Sequence, residues 1–177
     1  MTERPLSTWT PSPNFKPGRS HPISCIILHS TGGGWEGAVQ TLCDPRADNP
    51  PARTSAHYLV KKDGGIIHLV HESDTAFHAG YSSFKGQLYV NNFSVGIEQE
   101  KLGIDDPDEP FTEAQLASAA ALCRAIMADY GIPAEDVVGH ADVADGATPE
   151  QKAQHLKDHH DPGVAFDWAA FRARLTA

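Results

Sequence analysis

Apolar positions fall into short blocks whose spacing predicts both strands and helices. Ile23 to Leu28 is apolar at almost every position, the pattern of a central strand buried on both faces. It ends on His29, followed by Thr31-Gly32-Gly33-Gly34. His57 to Lys61 and Ile66 to Val70 predict a hairpin turned by Asp63-Gly64-Gly65. Ser94 to Glu100 predicts a further strand, with Val95 and Ile97 on one face and Gly96 and Glu98 on the other. The clearest helix runs from Thr112 to Tyr130. Leu116, Ala119, Ala120, Cys123, Ile126, Met127 and Tyr130 recur there at helical spacing, Thr112 and Gln115 suit a capping box, and Gly131 and Pro133 stop it. Val137 and Val138 predict a short strand leading to Gly139-His140. Asp167 caps a last helix whose Trp168, Phe171 and Leu175 face inward, and Trp35 to Leu42 reads as a short helix.

The remaining segments are polar or aperiodic. Residues 1 to 20, rich in Pro, Ser and Thr, read as an extended arm. Asp44 to Thr54 and Asp74 to Phe93 read as loops, and Ala144 to Asp158 as a mobile excursion. Strands and helices mix without regular βαβ alternation. The expected fold class is therefore α/β, a central mixed β-sheet flanked by helices, in one domain over residues 21–177. A chain of 177 residues is long enough for a full hydrophobic core.

Composition narrows the partners. A net charge of -9 argues against nucleic acid, because phosphate binding needs clustered Lys and Arg. It offers no attraction to an anionic membrane, no stretch has the length of a membrane span, and a monomer is expected. The first residues lack a basic start followed by an apolar run, so no secretory signal is read and synthesis in a cytoplasm is expected. Cys25, Cys43 and Cys123 make an odd count with no close pair, which argues against a disulfide framework. Cys25 and Cys123 sit on apolar patterns as core residues, with Cys25 a remote candidate nucleophile.

Chemistry concentrates in the histidines, of which there are ten. His21, His68, His71 and His155 have no context that separates them from surface or core residues. His29 and His140 each end a strongly apolar strand, where a side chain emerges from a rigid scaffold. Together with Asp161 they offer two imidazoles and a carboxylate, a set that holds zinc and leaves one coordination position open for chemistry. No local spacing joins the three, so the fold has to.

Six segments carry a resemblance: Cys25 to Thr31, Ser55 to Ile66, Ala76 to Gly80, Asn92 to Glu98, Val137 to Ala144 and Asp161 to Trp168. In this order the chain resembles the type 2 N-acetylmuramoyl-L-alanine amidases, the zinc fold shared with phage amidase lysozymes and peptidoglycan recognition proteins. The likeness spans roughly residues 13 to 175. It implies His29, His140 and Asp161 as ligands of Zn2+ and Glu98 as the acid/base carboxylate, with Glu100 its nearby rival. His57 and His78 match positions near the substrate groove, where they contact substrate or hold a loop. Two departures stand out. The family's Lys two residues before the third ligand is His159 here, and the run Gly146 to Asp158 lengthens the preceding segment. The longer run makes Asp158, His159 and His160 rivals of Asp161, although Asp161-Pro162-Gly163 favours the last.

The implied reaction is hydrolysis of the amide between the lactyl group of N-acetylmuramic acid and L-alanine, with peptidoglycan or a muropeptide as substrate. Zinc polarises the carbonyl and acidifies water. Glu98 takes the water's proton and passes it to the leaving amine. His159, if protonated, stabilises the oxyanion. A non-catalytic peptidoglycan receptor and a zinc hydrolase for another amide are the rival functions. The intact ligand set and Glu98 favour an enzyme. Among the biological settings a single-domain phage-type endolysin is the leading expectation, ahead of a cytoplasmic amidase recycling anhydro-muropeptides and of an envelope amidase.

Overall fold

The all-apolar block becomes the centre of the sheet. A computed structural model describes residues 4–45, 53–104, 106, 108–146 and 148–177. Its elements in chain order are β1 (Ser7–Trp9), β2 (Phe15–Lys16), β3 (Cys25–Ser30), α1 (Trp35–Cys43), β4 (Tyr58–Val60), β5 (Ile66–His68), β6 (Thr75–Ala76), β7 (Ser83–Phe84), β8 (Gln87–Leu88), β9 (Ser94–Gln99), α2 (Glu113–Tyr130), β10 (Val137–Gly139), α3 (His140–Val143), α4 (Pro149–Asp158) and α5 (Trp168–Leu175). Six strands form the main sheet in the order β1-β5-β4-β9-β3-β10. Only the β4–β5 hairpin pairs antiparallel within it, so the sheet is mixed as expected.

The arm read over residues 1–20 contributes β1 to the sheet edge, beside β5, and β2 to a small ribbon with β6. The stretch Asp74 to Phe93 contains β6, the β7–β8 hairpin and a 3₁₀ turn at Val90–Asn92. Part of the loop expected between Asp44 and Thr54 lies outside the described residues.

Alternation along the strands assigns the two faces different work. Ile26, Leu28, Tyr58, Val60, Val95, Ile97 and Val137 point to one face, where Ala119, Leu122, Cys123 and Ile126 of α2 and Phe171 and Leu175 of α5 cover them. The other face holds two smaller apolar clusters. One gathers around Cys25, Ile27, Phe93 and Val138, the other around Leu42, Leu59 and Ile67 near α1. The in-register pair His29–Glu98 also belongs to this second face, because paired residues of parallel strands point the same way.

Two local expectations change. Thr112 does cap α2, accepting from the Gln115 amide N–H at 3.1 Å. The reciprocal half of the capping box is absent because the Gln115 side chain is fully buried and donates to the carbonyls of Glu100 (2.9 Å) and Val60 (3.3 Å). Gln115 thus ties the helix to the strand ends. The polar run expected as a mobile excursion contains α4. Thr148 accepts from Gln151 N, the Gln151 side chain returns to Thr148 N, and Pro149 takes the first turn, where its missing N–H costs nothing.

Gln115→Leu keeps the volume and withdraws the donor from the partly buried Glu100 carbonyl. Leaving that carbonyl unsatisfied should cost about 1–3 kcal/mol. Urea unfolding would read this as a lower midpoint at unchanged slope, and an unaltered midpoint would show that the tie between α2 and the sheet is dispensable.

Candidate metal centre

Three chain segments converge at the C-terminal end of β3. His29 stands on β3, beside Glu98 on β9. β10 pairs with β3 and delivers His140 into the first position of α3. The chain leaving α4 then returns Asp161. Its backbone carbonyl accepts from Ala141 N at 3.2 Å and its carboxylate from Ser30 N at 3.3 Å, and the next carbonyl, of Pro162, accepts from Ser30 Oγ at 3.1 Å. Asp161 Oδ2 lies 3.0 Å from His29 Nδ1 and Oδ1 lies 3.2 Å from His140 Nδ1. All three side chains are buried. Of the rivals to Asp161, Asp158 is exposed and accepts from Gln154, and His160 Nδ1 donates to the Lys157 carbonyl. His159 lies beside His140.

Proton accounting shows what this arrangement requires. Ser94 Oγ has one proton and donates it to the Val90 carbonyl at 2.7 Å, so it can only accept from His78 Nε2 at 3.1 Å. Neutral His78 then has a bare Nδ1, which accepts from His29 Nε2 at 3.0 Å. Burial, reinforced by the neighbouring histidines, pushes His78 well below the usual imidazole range and keeps it neutral. With its proton on Nε2, His29 turns a lone pair on Nδ1 toward Asp161 Oδ2. Burial alone would raise Asp161, but the neighbouring His140 and His29 outweigh it and hold the carboxyl far below its ordinary range. In this tautomer two acceptors face each other at 3.0 Å, and a metal ion between them would relieve the contact.

The donor set suits zinc. Nitrogen, nitrogen and carboxylate oxygen are zinc ligands, and the 3.0 and 3.2 Å separations approach the ~3.3 Å edge of a tetrahedron with bonds of ~2.0–2.1 Å. The three ligand atoms lie within 4.8 Å of one another. His78 also supplies the outer hydrogen bond that orients a metal-binding imidazole.

Glu98 and Glu100 separate clearly. Glu100 is spent on backbone, accepting from Trp35 N at 3.3 Å and Lys62 N at 2.8 Å. Glu98 Oε2 is shut off from solvent without a partner. Burial, aided by the charge of Asp161, pushes the Glu98 carboxyl up to about 8. It forms part of the wall of a cleft of about 430 Å³ bounded by Thr31, Gly32, Gly33, Gly34 and α1.

The structure also places the remaining candidates. His57 and His78 lie buried beneath the site. His57 is fully buried, its Nδ1 accepting from Gly96 N at 3.0 Å and its Nε2 donating to the Asp74 carbonyl at 3.2 Å. His78 packs over Gly96, where a Cβ would come within 2.4 Å of its ring. Both serve as supports of His29 and β9. For His159 the condition was its charge. Burial, then His140 and His155, push His159 down to about 4, so it is neutral near pH ~7 and offers an N–H without positive charge. Cys25 is also closed as a nucleophile, because burial and Asp136 push its thiol up to about 12.

Sequence reasoning missed Ser94, whose proton sets the tautomers, and His155. The latter reaches from α4 to within 4.5 Å of His159 and 5.7 Å of His140, measured between ring centroids. The Thr148-Pro149 pair followed by Gln151 was the signal for the helix that carries it.

The comparisons agree with this geometry. The family model described as N-acetylmuramoyl-L-alanine amidase matches residues 19–164. The 1,6-anhydro-N-acetylmuramyl-L-alanine amidase AmpD of Citrobacter freundii is 36% identical, over 94% of this chain and 88% of its own length. A crystal structure of a selenomethionine AmpD derivative superposes with a TM-score of 0.73 at 32% identity, covering 96% of this chain and 94% of that one. The amidase AmiD of Escherichia coli, solved with anhydro-N-acetylmuramic acid-L-Ala-D-gamma-Glu-L-Lys as substrate, gives 0.69 at 28% identity, covering 90% and 60%. An endolysin amidase of Clostridium intestinale, at 23% identity and a TM-score of 0.66 over 100% of this chain and 99% of that one, shares the fold. The chain belongs to the type 2 N-acetylmuramoyl-L-alanine amidase family.

The raised Glu98 has a consequence for stability. A carboxyl whose folded pKa rises from 4.5 to about 8 contributes stability that is complete below the unfolded value and lost as pH rises through about 8. In chelator-treated protein, Glu98→Gln should therefore melt close to wild type at about pH 4 and increasingly above it toward about pH 9. Melting curves that stay parallel across this range would mean that Glu98 titrates as an ordinary carboxyl.

Proposed function

We propose that this amidase cleaves the bond between the lactyl group of 1,6-anhydro-N-acetylmuramic acid and L-alanine in soluble muropeptides, as a recycling enzyme, with zinc held by His29, His140 and Asp161. The observation that carries the reading is the buried group of His29, His140 and Asp161 beside Glu98, whose buried Oε2 has no hydrogen-bond partner. The choice of substrate is supported by relatives that match nearly end to end and bear the name 1,6-anhydro-N-acetylmuramyl-L-alanine amidase. This replaces the phage-type endolysin as the leading setting. The likeness to the endolysin amidase, at 23% identity, carries the fold alone.

The residues divide the work as follows. Zinc, when bound, supplies Lewis-acid polarisation of the amide carbonyl and acidification of water. Glu98 removes a proton from the attacking water and returns it to the leaving nitrogen of L-alanine. Burial, which raises the Glu98 carboxyl, favours its holding the proton between the two transfers. His159, stacked on His140 at 4.6 Å between ring centroids, donates a neutral N–H to the carbonyl oxygen as it gains charge. Ser94 and His78 fix His29 in its ligand tautomer, and His57 anchors the Gly96 backbone of the strand that carries Glu98. The cleft beside Glu98 receives the substrate.

Purified enzyme should release peptide from soluble anhydro-muropeptides much faster than from intact sacculi, and comparable rates on the two would restore the lysin reading. Chelation should abolish either activity. Glu98→Gln should stay folded and zinc-loaded with activity down by ~10²-fold or more. A near-wild-type Glu98→Gln beside an inactive Glu100→Gln would move the role to Glu100. His159→Ala should keep its zinc and lose about 10²–10³ in kcat, the scale of an oxyanion donor, with much of the loss recovered in His159→Lys. A metal-depleted His159→Ala would make His159 a ligand instead.

A further inference from the structure

His140 belongs to two triads. Besides the inner one, His140, His155 and His159 place ligand atoms within 4.8 Å of one another. Their ring centroids lie 4.6 Å apart for His140–His159, 4.5 Å for His155–His159 and 5.7 Å for His140–His155. Two imidazoles on one tetrahedral zinc stand about 5 Å apart by the same measure, from bonds of ~2.0–2.1 Å.

Three further observations point to a cation. His155 Nδ1 donates to the Asp145 carbonyl at 2.9 Å, which leaves Nε2 as a bare lone pair on a ring held by an outer hydrogen bond. His140 is buried, and its Nε2 has no hydrogen-bond partner. Position 80 is glycine with φ +54, and a Cβ there would come within 3.3 Å of His155 Cε1 and Nε2, so the ring has a close-fitting seat. The residues between Ala144 and His159 that place His155 are the polar run that departs from the family pattern.

We propose that His140, His155 and His159 form a second, outer site for a divalent transition-metal ion such as zinc, whose occupation inhibits the enzyme. Three imidazoles suit zinc, cobalt or nickel, whereas magnesium and calcium take oxygen ligands. The two sites use different atoms of the shared ring. Nδ1 faces Asp161, so with the inner ion on Nδ1 the ring carries its proton on Nε2. An outer ion taking Nε2 displaces that proton to solvent. The outer site therefore fills second and more weakly. Its occupant also engages a His159 nitrogen and fastens α4 against α3, which withdraws His159 from substrate. The predicted inhibition rests on the catalytic role of His159 proposed above, whereas the binding stoichiometry does not.

Equilibrium dialysis of chelator-stripped enzyme against rising free zinc tests this directly. Wild type should bind two ions in two steps, His29→Ala one, His155→Ala one, and the double variant none. His155→Ala should retain full activity with the first ion and escape the several-fold loss of kcat that excess zinc produces in wild type. Saturation of wild type at one ion, or a second ion retained by His155→Ala, overturns the outer site. A His29→Ala protein that still binds two ions contradicts the inner assignment and leaves the outer one standing. Unchanged kcat in excess zinc, with two ions bound, overturns the inhibition.

Discussion

Everything around the site depends on one unfavourable contact. A lone pair of His29 and a carboxylate oxygen of Asp161 face each other 3.0 Å apart, away from water. The arrangement is set from behind. The Ser94 proton goes to a carbonyl, and this fixes His78 and then His29. A buried pair of acceptors is costly alone and becomes an asset once a cation sits between them. The neighbouring choices follow from holding that pair in place. Gly96 makes room for His78, Ser30 donates to Asp161, and Ala141 pins the returning chain.

The sheet makes this possible by separating its two faces. One is given wholly to packing under α2 and α5. The other carries a file of imidazoles between two apolar clusters, running His57, His78, His29, His140, with neighbouring centroids 5.8, 5.1 and 4.7 Å apart. Polar groups survive there because they hand protons along in one direction or spend them on backbone. Within the file His78 limits the tautomer of His29, and His57 turns its nitrogens to backbone. The same burial that keeps the supports neutral lifts Glu98 into the range where a carboxyl can both take and return a proton.

α4 lies in the polar run that lengthens the segment before Asp161. It brings His155 to within 4.5 Å of His159 and 5.7 Å of the buried His140, measured between ring centroids. In the proposed mechanism a neutral His159, where the resemblance places a lysine, stabilises the oxygen by an oriented N–H rather than by a point charge.

The sequence by itself determined the central strands, because side chains alternate every second residue and the pattern of burial is written locally. The apolar run before His29, the Val95–Ile97 face opposite Glu98 and the helix from Thr112 were all legible in this way. So were the candidate ligands, through their position at strand ends and a family resemblance carried by six ordered segments. The capping signals of α4 were present and were outweighed by its polar composition. Tertiary structure alone decided which carboxylate stands without partners, that Gln115 turns away from its own helix end, and that His57 and His78 support the site from beneath. It alone brought His155 to His140. These outcomes depend on distances between residues far apart in the chain, on burial and on the direction of each proton, and no local pattern encodes them.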